Sequence, residues 1–155
     1  MPITAKSALN DIRGIAASGN DRPEKARRLA ELIQKLGEYR WVGVYDVGVE
    51  LVSIIGWIGL GAPQFPTFSV EQGLTGAAIK EKKTVIAGDV RSDPRYLTTF
   101  DNTQSEIIVP VLAPGGGRVI GTVDVESERM NAFSVRDQQM IEQCAEAALP
   151  LWLLR

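Results

Sequence analysis

Three carboxylates and two aromatic rings are the side chains in this chain whose types and spacing could do chemistry. Glu106, Asp124 and Glu126 lie within Ser105–Ser127, SEIIVPVLAPGGGRVIGTVDVES. Both arms of that segment alternate with period 2, and a glycine cluster separates them, so it reads as a hairpin. Ile107, Val109 and Val111 share one face with Val119, Gly121, Val123 and Val125 of the second arm. That face is purely apolar and should pack on a core. The opposite face carries Glu106, Ile108, Pro110 and Leu112, then Ile120, Thr122, Asp124 and Glu126. A loop from Ala113 to Gly117 sets Leu112 opposite Arg118 and Glu106 opposite Asp124, with Glu126 one same-face step beyond. Three carboxylates then converge at one end of one sheet face. Solvated, they are ordinary strand-end charges. Buried, two of them at about 5 Å repel by about 3 kcal/mol at an effective dielectric near 20. Such a cluster needs a proton, a cation or an ammonium group, and groups perturbed in this way tend to mark sites.

Composition narrows the chemistry. The chain has 155 residues, 45% hydrophobic and 23% charged, with a net charge of −2. That suits one α+β domain over residues 1–155 with a proper core. No long basic run favours nucleic acid as a partner. No apolar run approaches a membrane span, and MPITAKSALNDIRG lacks the apolar region of a secretory signal. The expectation is a cytoplasmic protein without nucleic-acid or membrane partners. There is no histidine and one cysteine, Cys144. Intramolecular disulfides, Cys/His zinc sites, histidine-based triads and an axial histidine for haem are excluded. No cofactor, no metal centre and no catalytic residue is expected.

The elements that must position the hairpin follow from periodicity. N-terminal helices are expected over about 3–36, the second with Asp21 as N-cap, a Leu29, Leu32, Ile33, Leu36 stripe and Gly37 as its stop. The sheet and pocket span about 39–126. Trp41–Val47 and Glu50–Ile58 read as a second hairpin, with Trp41, Gly43 and Tyr45 on one face and Val42, Val44 and Asp46 on the other. Phe65–Phe68 and Thr84–Ala87 read as short strands, and Gln72–Glu81 as a glycine-bounded helix. Residues 88–104 form a long irregular stretch, the kind of loop that covers a binding site. A C-terminal helix over about 134–152 starts at Ser134 and breaks near Pro150. The apolar end LPLWLLR would be an association patch if exposed. The order predicts a mostly antiparallel sheet, with terminal helices on one face and the short helix and long loop on the other.

These pieces resemble the GAF family of small-molecule sensor domains, from about Pro23 to Leu149. The resemblance rests on GLTGAAI, DVRSDPRY, the pair IIVPV and VIGTVDVES, and NAFSVRDQQM, in that order. It implies a ligand cavity between sheet and lid. Within the family the chain is most similar to free methionine-(R)-sulfoxide reductases, through YRWVGVY, SEIIVPV and VIGTVDVES. Their pocket of an aromatic pair and three carboxylates maps onto Trp41, Tyr45, Glu106, Asp124 and Glu126, the last a glutamate in place of the usual aspartate. The resemblance implies a free amino acid whose ammonium meets the carboxylates, under a lid that includes Asp93, Tyr96, Thr99 and Phe100. The redox half departs from the family. The loop where the nucleophilic cysteine belongs reads YLTTFDNTQSE, with Thr99 or Phe100 nearest, and Thr75 occupies the other cysteine position. A threonine hydroxyl cannot replace a thiolate or form a disulfide.

Three readings remain. One is a non-catalytic binding module for an ammonium-bearing small molecule. Another is a divergent reductase working without the usual cysteines. The third is an interaction protein with a vestigial pocket, dimerising through its terminal helices or passing a signal to a separate partner.

Overall fold

The computed structural model describes residues 3–98 and 100–154. Six strands form one antiparallel sheet in the order β3-β2-β1-β6-β5-β4. These are β1 (Trp41–Val47), β2 (Leu51–Ile58), β3 (Thr67–Ser69), β4 (Val85–Ala87), β5 (Ser105–Leu112) and β6 (Val119–Ser127). The helices are α1 (Ala5–Ala16), α2 (Arg22–Gly37), α3 (Gly73–Glu81), α4 (Val135–Ala147) and α5 (Pro150–Leu153). The fold is α+β, as the sequence predicts. The sheet's centre, β1-β6-β5, carries the carboxylates and the aromatic pair, so every site residue named from those strands stands on paired backbone.

One face of the sheet is dry. Val42, Val44, Ile107, Val109, Val123 and Val125 meet Ile12, Leu29, Ile33, Ile141 and Leu151 in one buried cluster under the terminal helices. The helix starts are written in the sequence. Thr4 and Ser134 close capping boxes at α1 and α4, and Asp21 accepts from the Glu24 amide at α2. Buried Lys25 donates to the carbonyls of Ala16 and Ser18 at the end of α1, at 3.2 and 3.0 Å. The opposite face carries α3, the loop of residues 88–104 and two smaller clusters, one around Leu74 and Ile108, the other around Trp41 and Tyr45.

Several boundaries differ from expectation for identifiable reasons. The residue in the left-handed region after α2 is Glu38, not Gly37; a Cβ on Gly37 would overlap the Tyr39 ring, so packing requires glycine there. The third strand is Thr67–Ser69 rather than Phe65–Phe68. The C-terminal helix, by contrast, breaks near Pro150 as expected: α4 ends at Ala147 and Pro150 opens α5. The apolar tail is partly consumed by the fold, with Leu151 and Trp152 buried and Leu153 and Leu154 about half exposed.

The hairpin register also differs. Leu112 pairs with Val119 rather than Arg118, and a bulge next to it leaves Ile120 without a partner, so Val111 pairs with Gly121. Each irregularity shifts the pairing by one residue. Glu106 therefore lies opposite Glu126 rather than Asp124, and Asp124 lies opposite Ile108. Two single shifts restore the period-2 parity, so Glu106, Asp124 and Glu126 still share a face. At the bulge itself the faces exchange: Val119 joins the Trp41 and Tyr45 cluster, and Ile120 packs against the helix-covered core.

Two glycines give opposite expectations for stability. A Cβ on Gly121 would overlap the Trp152 indole, whose Nε1–H donates to the Tyr45 carbonyl at 3.1 Å. Gly121→Ala is expected to lower unfolding free energy by about 1–3 kcal/mol. Gly14 is exposed within α1 with open space around it, so Gly14→Ala should raise stability by about 0.8–1 kcal/mol. Urea unfolding of both variants checks the pair.

Candidate functional site

The site grows from three cross-strand rows on the pocket face. Trp41 pairs with Glu126, and Glu126 with Glu106; Gly43 pairs with Asp124, and Asp124 with Ile108; Tyr45 pairs with Thr122, and Thr122 with Pro110. The absence of a side chain at Gly43 matters here. A Cβ would overlap the Trp41 ring and crowd Tyr45, so the two rings close over the glycine beside Asp124. Trp41 and Tyr45 lie 6.5 Å apart between centroids, Tyr45 meets Phe68 edge-on at 5.9 Å, and Phe100 meets Trp41 at 5.5 Å.

The carboxylates are buried, not solvated. Glu106 is 5% exposed, Asp124 6% and Glu126 0%. One oxygen from each lies within 4.8 Å of the others. Thr103 donates to Glu126 Oε1 at 3.0 Å. Asp124 Oδ1 and Glu126 Oε2 are buried with no hydrogen-bond partner, and so is the Thr122 hydroxyl on the same face. Buried polar atoms without partners are uncommon in folded proteins.

The electrostatics follow from this burial. Desolvation pushes Glu106 well above the usual carboxylate range, with repulsion from Asp124 and then Glu126 adding to it. Burial thus favours the protonated form of Glu106. Burial raises Asp124 to about 7, and the hydrogen bond from Glu106 pulls the other way. Burial and then Asp124 push Glu126 up, against the Thr103 hydrogen bond and the Arg40 charge. The Tyr45 hydroxyl is raised first by burial and then by the three carboxylates.

A cavity of about 20 Å³, the room of about one water, adjoins this cluster. Glu106 and Asp124 form one side, Tyr45, Phe65 and Phe68 an aromatic wall, and Gly73, Leu74 and Thr75 of α3 another side, with Leu97 from the long loop closing it. A larger groove of about 930 Å³ lies at the far end of the sheet, between the β1–β2 turn and α5. It is open, and its lining includes none of the buried unpartnered polar atoms found among the described residues.

The structure brings Trp41, Tyr45, Glu106, Asp124 and Glu126 together. The residues named for the lid divide. Phe100 packs on Trp41, with the Arg40 guanidinium 5.3 Å from its ring centroid. Tyr96 packs against the Leu74 and Ile108 cluster. Asp93 binds Arg95 through both oxygens, at 3.0 and 2.8 Å, and that hydrogen bonding holds its carboxyl below the ordinary range, so it braces the loop. Thr99 lies outside the described residues. Sequence reasoning missed Thr103, Phe65, Phe68 and Leu97 at the site. Thr122 was legible on the acidic face by alternation, whereas the others arrive from loops and short elements that carry no period. Cys144 is fully buried under the other face of the sheet, and burial pushes its thiol up to about 12.

The raised carboxylates fix the sign of a pH dependence. Between their ordinary values and their folded values the native state holds more protons than the unfolded state, so stability falls as pH rises. For Asp124 that window runs from 3.8 to about 7. The protein should therefore lose stability steadily as pH rises across this window. Glu126→Gln should flatten the slope and stabilise the protein at mildly alkaline pH. Urea midpoints measured across this window check both sign and flattening.

A GAF domain family model matches residues 20–149. GAF domain-containing protein A of Dictyostelium discoideum is 25% identical over 138 residues, covering 89% of this chain and 85% of that protein. The type II free methionine-R-sulfoxide reductase from Thermoplasma acidophilum is 32% identical with a TM-score of 0.74, over 84% of this chain and 95% of that one. The free methionine-R-sulfoxide reductase from Neisseria meningitidis, solved with its substrate, has a TM-score of 0.84 at 24% identity, over 96% and 88% of the two chains, and shares the fold. With the family model spanning most of its length and the same sheet and helices beneath it, this chain belongs to the GAF domain family.

Proposed function

We propose that this GAF domain binds a small ammonium-bearing molecule, a free amino acid among the candidates, and does so without thiol chemistry. One observation carries the reading: Asp124 Oδ1 and Glu126 Oε2 are buried and unpartnered in a cluster that adjoins an aromatic-walled cavity. An ammonium group offers donors to both oxygens and offsets the charge that burial penalises. In this reading Glu106, Asp124 and Glu126 hold the ammonium, Trp41 and Tyr45 form the apolar wall, and the loop bearing Asp93, Tyr96, Thr99 and Phe100 is the lid. The cavity of about 20 Å³ is too small for a whole amino acid, so Phe65 and Leu97 must shift to admit one. Binding modules of this kind act as sensors, and the family supports that role.

A second reading, free methionine-R-sulfoxide reduction, is favoured by the 32% identity to the Thermoplasma acidophilum enzyme. Thiol chemistry argues against it. The one cysteine is buried on the far side of the sheet with a raised pKa, and Thr75 and Thr99 carry no nucleophile suited to sulfur.

A thermal-shift screen of free amino acids and their sulfoxides tests the binding reading. At least one is expected to raise the melting temperature, and Glu106→Gln should weaken its binding by about tenfold or more. No shift with any of them would overturn it. Turnover of free methionine-(R)-sulfoxide with a thiol reductant is expected to stay at background; robust turnover would overturn the non-catalytic reading in favour of the second.

A further inference from the structure

We propose that Arg40 is a positioning residue for the acidic cluster: through Glu128 and the Phe100 ring it clamps residues 100–103 across the Glu126 end of that cluster. The register of the central strands brings the parts together. Trp41 opens β1 opposite Glu126, near the end of β6. Arg40, one residue before β1, therefore stands beside Glu128, one residue after β6. Arg40 Nε donates to Glu128 Oε1 at 2.6 Å. Asn102 Nδ2, from the long loop, donates to the same oxygen at 2.9 Å. The Arg40 guanidinium lies 5.3 Å from the Phe100 ring centroid, and Phe100 lies 5.5 Å from the Trp41 ring. One arginine thus holds the loop twice, through a shared carboxylate oxygen and through a ring face. Arginine suits both contacts, because its planar guanidinium hydrogen-bonds at its edge and stacks with its face.

What the clamp positions is the donor on Glu126. Thr103 is buried, and its hydroxyl donates to Glu126 Oε1 at 3.0 Å. Its amide donates to the Phe100 carbonyl at 3.4 Å, which ties it to the clamped ring through one short turn. The Gln104 amide then donates to the Ser127 carbonyl at 2.8 Å, where the loop rejoins β6. An ordinary surface ion pair contributes little. This one is lopsided: the Glu128 side chain is 54% exposed, the Arg40 side chain only 15%. The Arg40 charge also reaches Glu126, where it acts with the Thr103 bond toward the charged form and against burial and Asp124. Arg40 thus serves the cluster by two routes, through the loop it holds and through its charge. The consequence for ligand entry rests on the binding reading above. The clamp itself belongs to the ligand-free chain and is tested without a ligand.

Amide hydrogen exchange of the intact ligand-free chain, read by NMR at one pH, tests the clamp. Arg40→Ala and Glu128→Ala are each expected to speed exchange at Gln104 by about fivefold or more, with Val123 and Val125 of β6 unchanged. Arg40→Lys keeps the charge but lacks the planar face, so it should fall between wild type and Arg40→Ala. Asn102→Ala, at an exposed loop position, changes no charge; it should still shift the Glu126 carboxyl ¹³C resonance as the Thr103 bond weakens. Gln104 exchange at the wild-type rate in both Arg40→Ala and Glu128→Ala would overturn the clamp. So would a rise that spreads evenly to Val123 and Val125, because that marks lost stability rather than lost positioning. Neither result touches the ammonium reading, which stands or falls with the amino-acid screen.

Discussion

The structure depends on one electrostatic constraint: three carboxylates are withdrawn from water on the same face of the central strands. A carboxylate in such a place must be neutralised, because the desolvation of an uncompensated charge exceeds what packing around it returns. In the ligand-free chain the compensation is a proton. Burial favours the protonated form of Glu106, and the Thr103 hydroxyl and the Arg40 charge both act to favour the charged form of Glu126. Two oxygens and the Thr122 hydroxyl are left with nothing. A domain that carries this deficit in its own core is tuned for something other than maximal stability.

The rest of the fold holds that deficit in place. The dry face of the sheet is sealed by α1, α2 and α4, each with a side-chain cap, and by the short α5. This rigid side fixes β1, β6 and β5, and so fixes where the carboxylates stand. The other side is built from short pieces: α3, a three-residue strand and a long loop with one 3-10 turn at Val90–Ser92. Paired strands keep the polar groups in register, whereas short elements and loops of this kind are the ones that open most easily.

The acidic face was legible because alternation survives a register error of two. The sequence pattern set Glu106 opposite Asp124; the bulge at Ile120 and the one-residue difference at the turn set it opposite Glu126 instead. Both arrangements put the three carboxylates on one face, which is the property that matters. A bulge has no signature in a run such as RVIGTV, so the exchange of Val119 and Ile120 between faces was not readable. Capping was readable at Asp21 and Ser134 because those side chains act on their own next turn. The stop at Gly37 was misassigned because a tertiary contact with Tyr39, not backbone conformation, requires glycine there. Phe68 reaches the site on a three-residue strand and Leu97 and Thr103 on the long loop, paths that no local pattern encodes.

Membership of the GAF family and likeness to methionine sulfoxide reductases leave the chemistry of this cluster to its own residues, and those are carboxylates and rings, with the one cysteine buried under the other face of the sheet. The most direct measurement is a ¹³C NMR titration of the side-chain carboxyls of Glu106, Asp124 and Glu126. In the free protein at least one of them should titrate near or above neutral pH, and addition of a bound amino acid should bring the cluster's titration down. Three carboxyls that titrate at ordinary carboxylate values in the free protein would contradict the buried cluster on which the site is built.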